Sequence, residues 1–277
     1  MARSTEDTPY GVCLIVAYDG TDFAGSQLQL AQRTIQGELE RAAAIMAGHP
    51  TRMRPAGRTD AGVHALGQVV AFDSARDIPA RGWLLGINRS LPPDVRVQRV
   101  AACAAGYNPR FDALEKTYRY LAQLGEAQDP LMRERAYQLN KRWSLDVDKM
   151  RDAAGMLAGT HDYRAFRQAD DARENSVRTL YDVAVTAPHG ADPSLVGITV
   201  RGTAFMKNMV RILAGTLIDV GRGRLPLASV PDMLGPRAER IRAGHTAPAH
   251  GLTLVSLELG RKGLPSPFAA GRPQVYP

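Results

Sequence analysis

The stretch Cys13-Leu-Ile-Val-Ala-Tyr18 is a compact apolar run that ends at the turn signal Asp19-Gly20. It predicts a short buried strand. Further short strands are predicted at 69–72, 95–101, 117–121, 179–186, 195–201 and 252–259. Helical patterns lie between them: a helix that begins after Thr34 and ends at Gly48, and others near 79–90, 146–157 and 205–220.

We therefore expect an α+β fold of two related halves around a mostly antiparallel central sheet, because the strands are short and hairpin-like links join several of them. Helices pack on this sheet, and the active cleft lies between the halves. The predicted domains are an N-terminal α+β half at 1–110, a C-terminal α+β half at 111–260 and a loosely ordered tail at 261–277, which is rich in Pro and Gly.

Composition excludes several classes of protein. A chain of 277 residues with 44% hydrophobic residues can bury a sizeable core. The apolar runs are too short for a bilayer-spanning helix, and the N-terminus lacks a signal-peptide pattern, so we expect no membrane partner. Cys and His spacings match no zinc site, so no metal is expected. The formal charge of +7 favours a polyanionic partner.

The most unusual segment is Gly57-Arg-Thr-Asp-Ala-Gly-Val-His-Ala65, which lies between a predicted helix and a predicted strand. Gly57 and Gly62, which lie on either side of Asp60, permit backbone geometries that other residues avoid. Asp60 can then be held at the tip of a tight loop with its carboxylate projecting and Arg58 beside it. The alternative, which spacing alone favours, is an ordinary Asx turn in which Asp60 bonds its own backbone.

This segment strongly resembles the active-site motif of the tRNA pseudouridine synthase A family of bacteria. Other segments match the family in the same order, at 18–25, 34–40, 67–72, 88–95, 116–120, 159–166, 177–180, 205–211 and 250–254, so that the resemblance covers about 11–259. Two positions depart from the family pattern. Ser26 stands where an aromatic residue is usual, which puts a stacking or packing role there in doubt, and Pro109 stands where Ala is expected.

The resemblance implies a cytoplasmic isomerase that converts uridine to pseudouridine at positions 38, 39 and 40 in the anticodon arm of tRNA. It implies no cofactor, no metal, a homodimer, and a target nucleotide that flips out of its stack. Asp60 would be the essential catalytic residue. It could attack C1′ or C6 as a covalent catalyst, or remove a ribose proton, and the sequence leaves these routes open.

Tyr118 and Arg211 would act with Asp60. The ring of Tyr118 would support the flipped uracil, and its hydroxyl could help to remove the C5 proton. Core packing is the alternative, because Tyr118 and Tyr120 share one strand face. Arg211 would form an ion pair that keeps Asp60 charged within the cleft. A solvated helix face is the alternative for Arg211.

The remaining candidates are expected to bind substrate. Arg58 could fill the gap left by the flipped base or grip a phosphate, and Leu252 would pack near the base. The other candidates lie in segments that resemble RNA-contact regions of the family, with solvated surface as the alternative: Asn108, Arg110, Phe111, Gln168 and Arg178. His64 and His161 stay outside the catalytic set, because a lone His in a basic loop is more often an RNA contact or a hydrogen-bonded structural residue.

Two rival functions remain. A non-catalytic RNA-binding module fits two small α+β halves, but aromatic runs of the RNP type are absent from the sequence. A small-molecule hydrolase or isomerase that uses Asp60 is the other rival. The basic surplus and the lack of nucleotide-binding loops argue against it.

Overall fold

The computed structural model describes residues 8–139, 144–171, 174–260 and 266–268. The described residues within Met1–Leu114 and Leu254–Pro277 form one compact unit, and those within Glu115–Thr253 form a second. Each unit combines helices with mostly antiparallel strands, which confirms the α+β class. The predicted domain boundaries remain a prediction, and the predicted tail lies outside the described residues except for 266–268.

The strands are β1 (Tyr10–Tyr18), β2 (Arg54–Pro55), β3 (His64–Ser74), β4 (Val95–Cys103), β5 (Ala113–Gln123), β6 (Tyr137–Gln138), β7 (Gly159–Asp162), β8 (Val177–Thr186), β9 (Leu195–Gly202) and β10 (Leu252–Leu259). The α-helices are α1 (Ile35–Ala47), α2 (Ala80–Ser90), α3 (Pro109–Asp112), α4 (Val147–Leu157) and α5 (Met209–Gly221). Short 3₁₀ helices lie at Arg164–Phe166, Leu227–Ser229, Pro231–Met233, Arg240–Arg242 and Ala249–Gly251.

In the first unit, β1 lies between β4 and β3 and pairs antiparallel with both. Both faces of β1 are buried, which explains its uninterrupted apolar run. Cys13 and Ile15 pack on one face with Val69 of β3. On the other face Phe72, paired with Val12, meets the ring of Trp83 from α2 edge-on at a centroid distance of 5.2 Å. This sheet carries the loop that precedes β3.

The ends of α1 confirm the predicted helix signals. The hydroxyl of Thr34 accepts a hydrogen bond from the Gly37 amide at 3.2 Å. At the other end Gly48 adopts a left-handed conformation with φ 75°, and its amide donates to the Ala44 carbonyl. A side-chain cap at the start and a left-handed glycine at the end satisfy backbone groups that the helix itself leaves unpaired.

In the second unit, the strand order is β5–β9–β8–β7, with antiparallel pairing, and the short β6 pairs parallel with β5. Helix α4 packs against β8 and α5. Asp146 accepts from the Lys149 amide at 3.0 Å and so caps the start of α4. Tyr120 of β5 is fully buried, as are Met150 of α4 and Leu213 of α5.

The prediction of a helix over 205–220 is wrong at its start. The helix begins at Met209, because Asn208 takes a left-handed conformation with φ 58° and interrupts the helical path. Phe205 is therefore not part of the helical apolar stripe. Its ring instead meets Tyr118 of β5 edge-on, with the ring centroids 5.1 Å apart.

No helix in the described ranges has both the length and the apolar character that crossing a membrane requires.

Replacing Thr34 by Ala is expected to destabilise the protein by about 1 kcal/mol, because the Gly37 amide loses its capping acceptor. Urea unfolding of the wild type and the variant measures this loss. Thr34→Ser keeps the hydroxyl and serves as the matched control, which should retain most of the stability. Equal stability of the Ala variant and the wild type would show that the cap contributes nothing.

Candidate active site

The loop that carries Asp60 joins β2 to β3 in the first unit. Asp60 is half-buried and Arg58 is exposed. Gly62 has φ 75°, and the Val63 amide donates to the Asp60 carbonyl at 3.2 Å, which closes a tight turn just after Asp60. The backbone of Gly62 thus agrees with the predicted role of this glycine.

Thr59, the residue before Asp60, is held by groups distant in sequence. The Thr59 amide donates to Ser26 Oγ at 2.8 Å, and the Thr59 carbonyl accepts from the Ser26 amide at 3.0 Å. The Thr59 and Tyr18 hydroxyls lie 2.8 Å apart. Because the turn fixes the backbone after Asp60 and the contacts of Thr59 fix the backbone before it, the backbone of Asp60 is held on both sides.

Tyr18 supports the loop as a neutral phenol. Burial raises its pKa to about 12, although hydrogen bonds with Thr59 and Gln68 oppose the shift. The hydroxyl therefore stays protonated at neutral pH. Gln68 also donates from Nε2 to the Gly57 carbonyl at 3.0 Å, which fixes the first residue of the motif.

Two glycines let a neighbouring segment approach the loop closely. A Cβ on Gly20 would lie 2.1 Å from the Val63 carbonyl oxygen, so any larger residue would displace the loop. Gly25 has φ +107°, a conformation that disfavours side chains, and a Cβ there would lie 3.0 Å from the Thr59 carbonyl oxygen. The Gly20 amide donates to Nδ1 of buried His64 at 3.1 Å, so this ring has a structural role.

Tyr118 lies in β5 of the second unit and is only 8% exposed. Its ring meets Phe205 edge-on with an interplanar angle of 81°. It shares its strand face with buried Tyr120, whose hydroxyl donates to the Pro248 carbonyl at 3.0 Å. Burial of both tyrosines agrees with the expectation that they share one strand face.

Arg211 lies in the first turn of α5, and hydrogen bonds fix its direction. Its Nε donates to the Ala247 carbonyl at 2.7 Å, and its Nη1 donates to Asn208 Oδ1 at 2.8 Å. Asn208 Nδ2 in turn donates to Gln168 Oε1. Two predicted site residues, Arg211 and Gln168, are therefore brought together through Asn208. Arg211 is half-buried and oriented, unlike a side chain on a freely solvated helix face.

A hydrogen bond to a buried carboxylate anchors the segment that binds Arg211. His245 Nδ1 donates to Asp219 Oδ2 at 2.9 Å, and the Asp219 side chain is only 4% exposed. The Gly244 amide donates to Thr216 Oγ1 at 2.9 Å. Burial would raise the pKa of Asp219, but the hydrogen bond and the charge of His245 lower it below the ordinary range. These contacts hold the chain that supplies the Ala247 carbonyl.

The other predicted residues occupy varied positions. Leu252 is buried at the start of β10, whereas Arg110 and Phe111 are exposed on α3. The Asn108 side chain caps α3 by accepting from the Arg110 amide at 3.1 Å. Arg178 is partly exposed, and its Nη1 donates to the Val177 carbonyl at 2.6 Å.

His161 donates from Nε2 to the Ala158 carbonyl at 3.0 Å, which agrees with a hydrogen-bonded structural residue. Within the ranges that the structure describes, no group of three or more His, Cys, Asp or Glu side chains could hold a metal ion.

The residues that position the candidates were not among those predicted from the sequence. Tyr18, Ser26 and Gln68 support the Asp60 loop, and Asn208 orients Arg211. In the sequence, Ser26 is notable only because it stands where the family usually has an aromatic residue. The contact of Asn208 with Gln168 joins residues 40 apart in sequence, so no local pattern encodes it.

Comparison with known proteins gives one consistent result. The profile of the family described as tRNA pseudouridine synthase matches residues 153–258. The tRNA pseudouridine synthase A of Geotalea uraniireducens is 41% identical over 244 residues, which cover 88% of this chain and 97% of that protein. Those of Geobacter sulfurreducens and Brevibacillus brevis are each 42% identical and cover 87% of this chain and 96% of their own lengths.

Asp219 is expected to make stability depend on pH. Its pKa is lower in the folded state than in the unfolded one, so its contribution is present above about pH 3.9 and is lost as pH falls through the folded value. Asp219→Asn should lower the free energy of unfolding at pH 7 by about 1 to 3 kcal/mol and flatten its decline in acid.

Denaturant unfolding at a series of pH values between neutral and acid tests this dependence. The exposed Asp182→Asn, in the same unit, is the control and should behave as the wild type. The same steep acid decline in Asp219→Asn as in the wild type would contradict the assignment to Asp219.

Proposed function

The chain belongs to the tRNA pseudouridine synthase A family, and we propose that it forms pseudouridine at positions 38, 39 and 40 in the anticodon arm of tRNA, with Asp60 as the essential catalytic residue. As a member of this family it is an isomerase that acts on uridine in tRNA. The observation that carries the assignment to Asp60 is its place on a loop whose backbone is fixed on both sides.

The reaction turns one uracil over on its ribose. The bond between N1 and C1′ breaks, a bond between C5 and C1′ forms, the C5 proton leaves and N1 gains a proton, so the product is an isomer of the substrate. A carboxylate at Asp60 suits this sequence. It can bond to C1′ as uracil departs and be released when C5 attacks, which divides one difficult displacement into two easier ones. Addition to C6 and removal of a ribose proton are the alternative roles.

The fixed loop supports this proposal on energetic grounds. A reacting group that is already held in place does not lose orientational freedom during the reaction, and a displacement of about 1 Å can reduce the rate on the order of 10²-fold. Thr59 and the Asp60–Val63 turn supply this constraint within the first unit alone.

Tyr118 and Arg211 complete the proposed catalytic set. The buried ring of Tyr118 offers an apolar surface for uracil, and its hydroxyl is the candidate for the C5 proton. The guanidinium of Arg211 is proposed to keep Asp60 ionised. The contacts of Arg211 with Asn208 and Ala247 support this role, because they give a long side chain a defined direction before substrate binds.

The proposed RNA contacts extend beyond the catalytic set. Exposed Arg58 lies two residues before Asp60 and could occupy the position of the flipped base, while Leu252 packs near the base. Phosphate or base contacts are proposed for Asn108, Arg110, Phe111, Gln168 and Arg178. The active cleft between the two halves, a homodimer and a cytoplasmic location also belong to the proposal, as does the absence of a cofactor.

Incubating the protein with unmodified tRNA transcripts tests the function directly. Nuclease digests should contain pseudouridine, and mapping should place it at positions 38, 39 and 40. Binding without product would favour a non-catalytic RNA-binding module. Product at other tRNA positions only would overturn the proposed site selection.

Asp60→Asn and Asp60→Ala are expected to abolish turnover and leave tRNA affinity largely unchanged, because one carboxylate among many RNA contacts contributes little to binding. Pseudouridine yield and tRNA Kd are measured for each variant. Asp77→Asn, an exposed change in the same unit, is the control and should keep full activity. More than trace activity in either Asp60 variant would refute the catalytic assignment.

A further inference from the structure

Ser26 contacts the peptide group that leads directly into Asp60. Ser26 Oγ accepts from the Thr59 amide at 2.8 Å and lies 3.4 Å from the Thr59 carbonyl, to which its hydroxyl donates. The Ser26 amide donates to the same carbonyl at 3.0 Å. This carbonyl belongs to the peptide bond between Thr59 and Asp60, so Ser26 fixes the plane from which Asp60 projects.

These contacts lie away from solvent. Ser26 is 6% exposed and Thr59 is 8% exposed. Water therefore cannot readily replace the hydroxyl, and removal of the hydroxyl leaves a buried amide without this acceptor.

Ser26 is itself attached to a rigid element. Its carbonyl accepts from the Gln36 amide at 3.0 Å, and the carbonyl of Gly25 accepts from the Ile35 amide at 3.3 Å. Both amides belong to the first turn of α1, where the helix has no partners of its own for them. The constraint on Asp60 therefore runs from α1 through Ser26 to Thr59.

We propose that Ser26 is a positioning residue for the isomerisation, because its hydroxyl binds the Thr59 amide and so orients the Arg58–Thr59 peptide next to Asp60. Together with the bond from the Ser26 amide to the Thr59 carbonyl, this contact directs the Asp60 carboxylate at the reacting nucleotide. The inference depends on the proposed role of Asp60. Ser26 acts through the backbone and need not touch the RNA. Loss of its hydroxyl should therefore lower the rate of the chemical step and leave substrate affinity unchanged.

The test compares Ser26→Ala with the wild type by single-turnover pseudouridine formation and by tRNA Kd. The single-turnover rate is expected to fall about 10- to 100-fold, because the Asp60 carboxylate is displaced from its reacting position. The tRNA Kd is expected to change less than about twofold. A wild-type rate in folded Ser26→Ala would overturn the inference, and so would a fall confined to affinity.

Ser74→Ala is the matched control. Ser74 lies in the same unit, is fully buried, accepts from the Arg76 amide at 3.0 Å and donates to the Arg76 carbonyl at 3.2 Å. Ser74 thus makes the same two kinds of hydrogen bond as Ser26, one accepted from an amide and one donated to a carbonyl. It lies outside the Asp60 loop. Ser74→Ala should lower the denaturant midpoint as Ser26→Ala does and keep the wild-type rate. Equal loss of rate in both variants would show a general effect of stability and contradict positioning.

Restoring the hydroxyl should restore the rate. Ser26→Thr keeps a hydroxyl on the same Cβ, so it restores the group that Ser26→Ala removes. Ser26→Thr should recover most of the rate, and failure of a folded Ser26→Thr to exceed Ser26→Ala would contradict the role of the hydroxyl.

If Ser26→Ala does not fold, Ser26→Cys provides the same comparison, because a thiol fills the site but accepts hydrogen bonds weakly. It should show the same loss of rate, and a wild-type rate would overturn the inference. Absence of product with the wild type would overturn the proposed function and this inference together. Product with the wild type and an unimpaired Ser26→Ala would overturn this inference alone.

Discussion

The hydrogen bonds to the backbone of Thr59 are the constraint on which the candidate active site depends. Asp60 can serve as a covalent or acid–base catalyst only if its carboxylate meets the ribose or the base in a defined position. Its loop has few residues and no helix or strand of its own between β2 and β3. The loop takes its rigidity from Ser26, Tyr18 and the close approach of Gly25, all of which belong to segments anchored by β1 and α1.

In the second unit, hydrogen bonds likewise fix the direction of the Arg211 side chain. A long flexible cation is useful in a site only when its direction is set, and Asn208 and the Ala247 carbonyl set it. The Ala247 carbonyl is in turn held by a segment that the buried Asp219–His245 pair fastens to α5. A carboxylate such as Asp219 is costly to bury unless it is hydrogen-bonded, and His245 supplies that hydrogen bond.

Local signals in the sequence predicted much of this arrangement. Thr34 and Gly48 marked the ends of α1 because caps act over a few residues, and the glycines of the Asp60 segment predicted its turn. The start of α5 was predicted wrongly, because the apolar pattern does not reveal the left-handed conformation of Asn208. Ser26 and Thr59 are 33 residues apart, and no local pattern encodes that contact. The sequence thus indicated Asp60 as the candidate reacting group, and the fold shows which groups hold its loop.

Amide hydrogen exchange at Thr59 in the free protein tests the central claim, that the Asp60 loop is rigid before tRNA binds. Exchange can be followed at single residues by NMR, with the amides of β3 as an internal reference. The account predicts that the Thr59 amide exchanges as slowly as amides within β3, because its acceptor is buried. Exchange of the Thr59 amide at the rate of an unstructured peptide would contradict it.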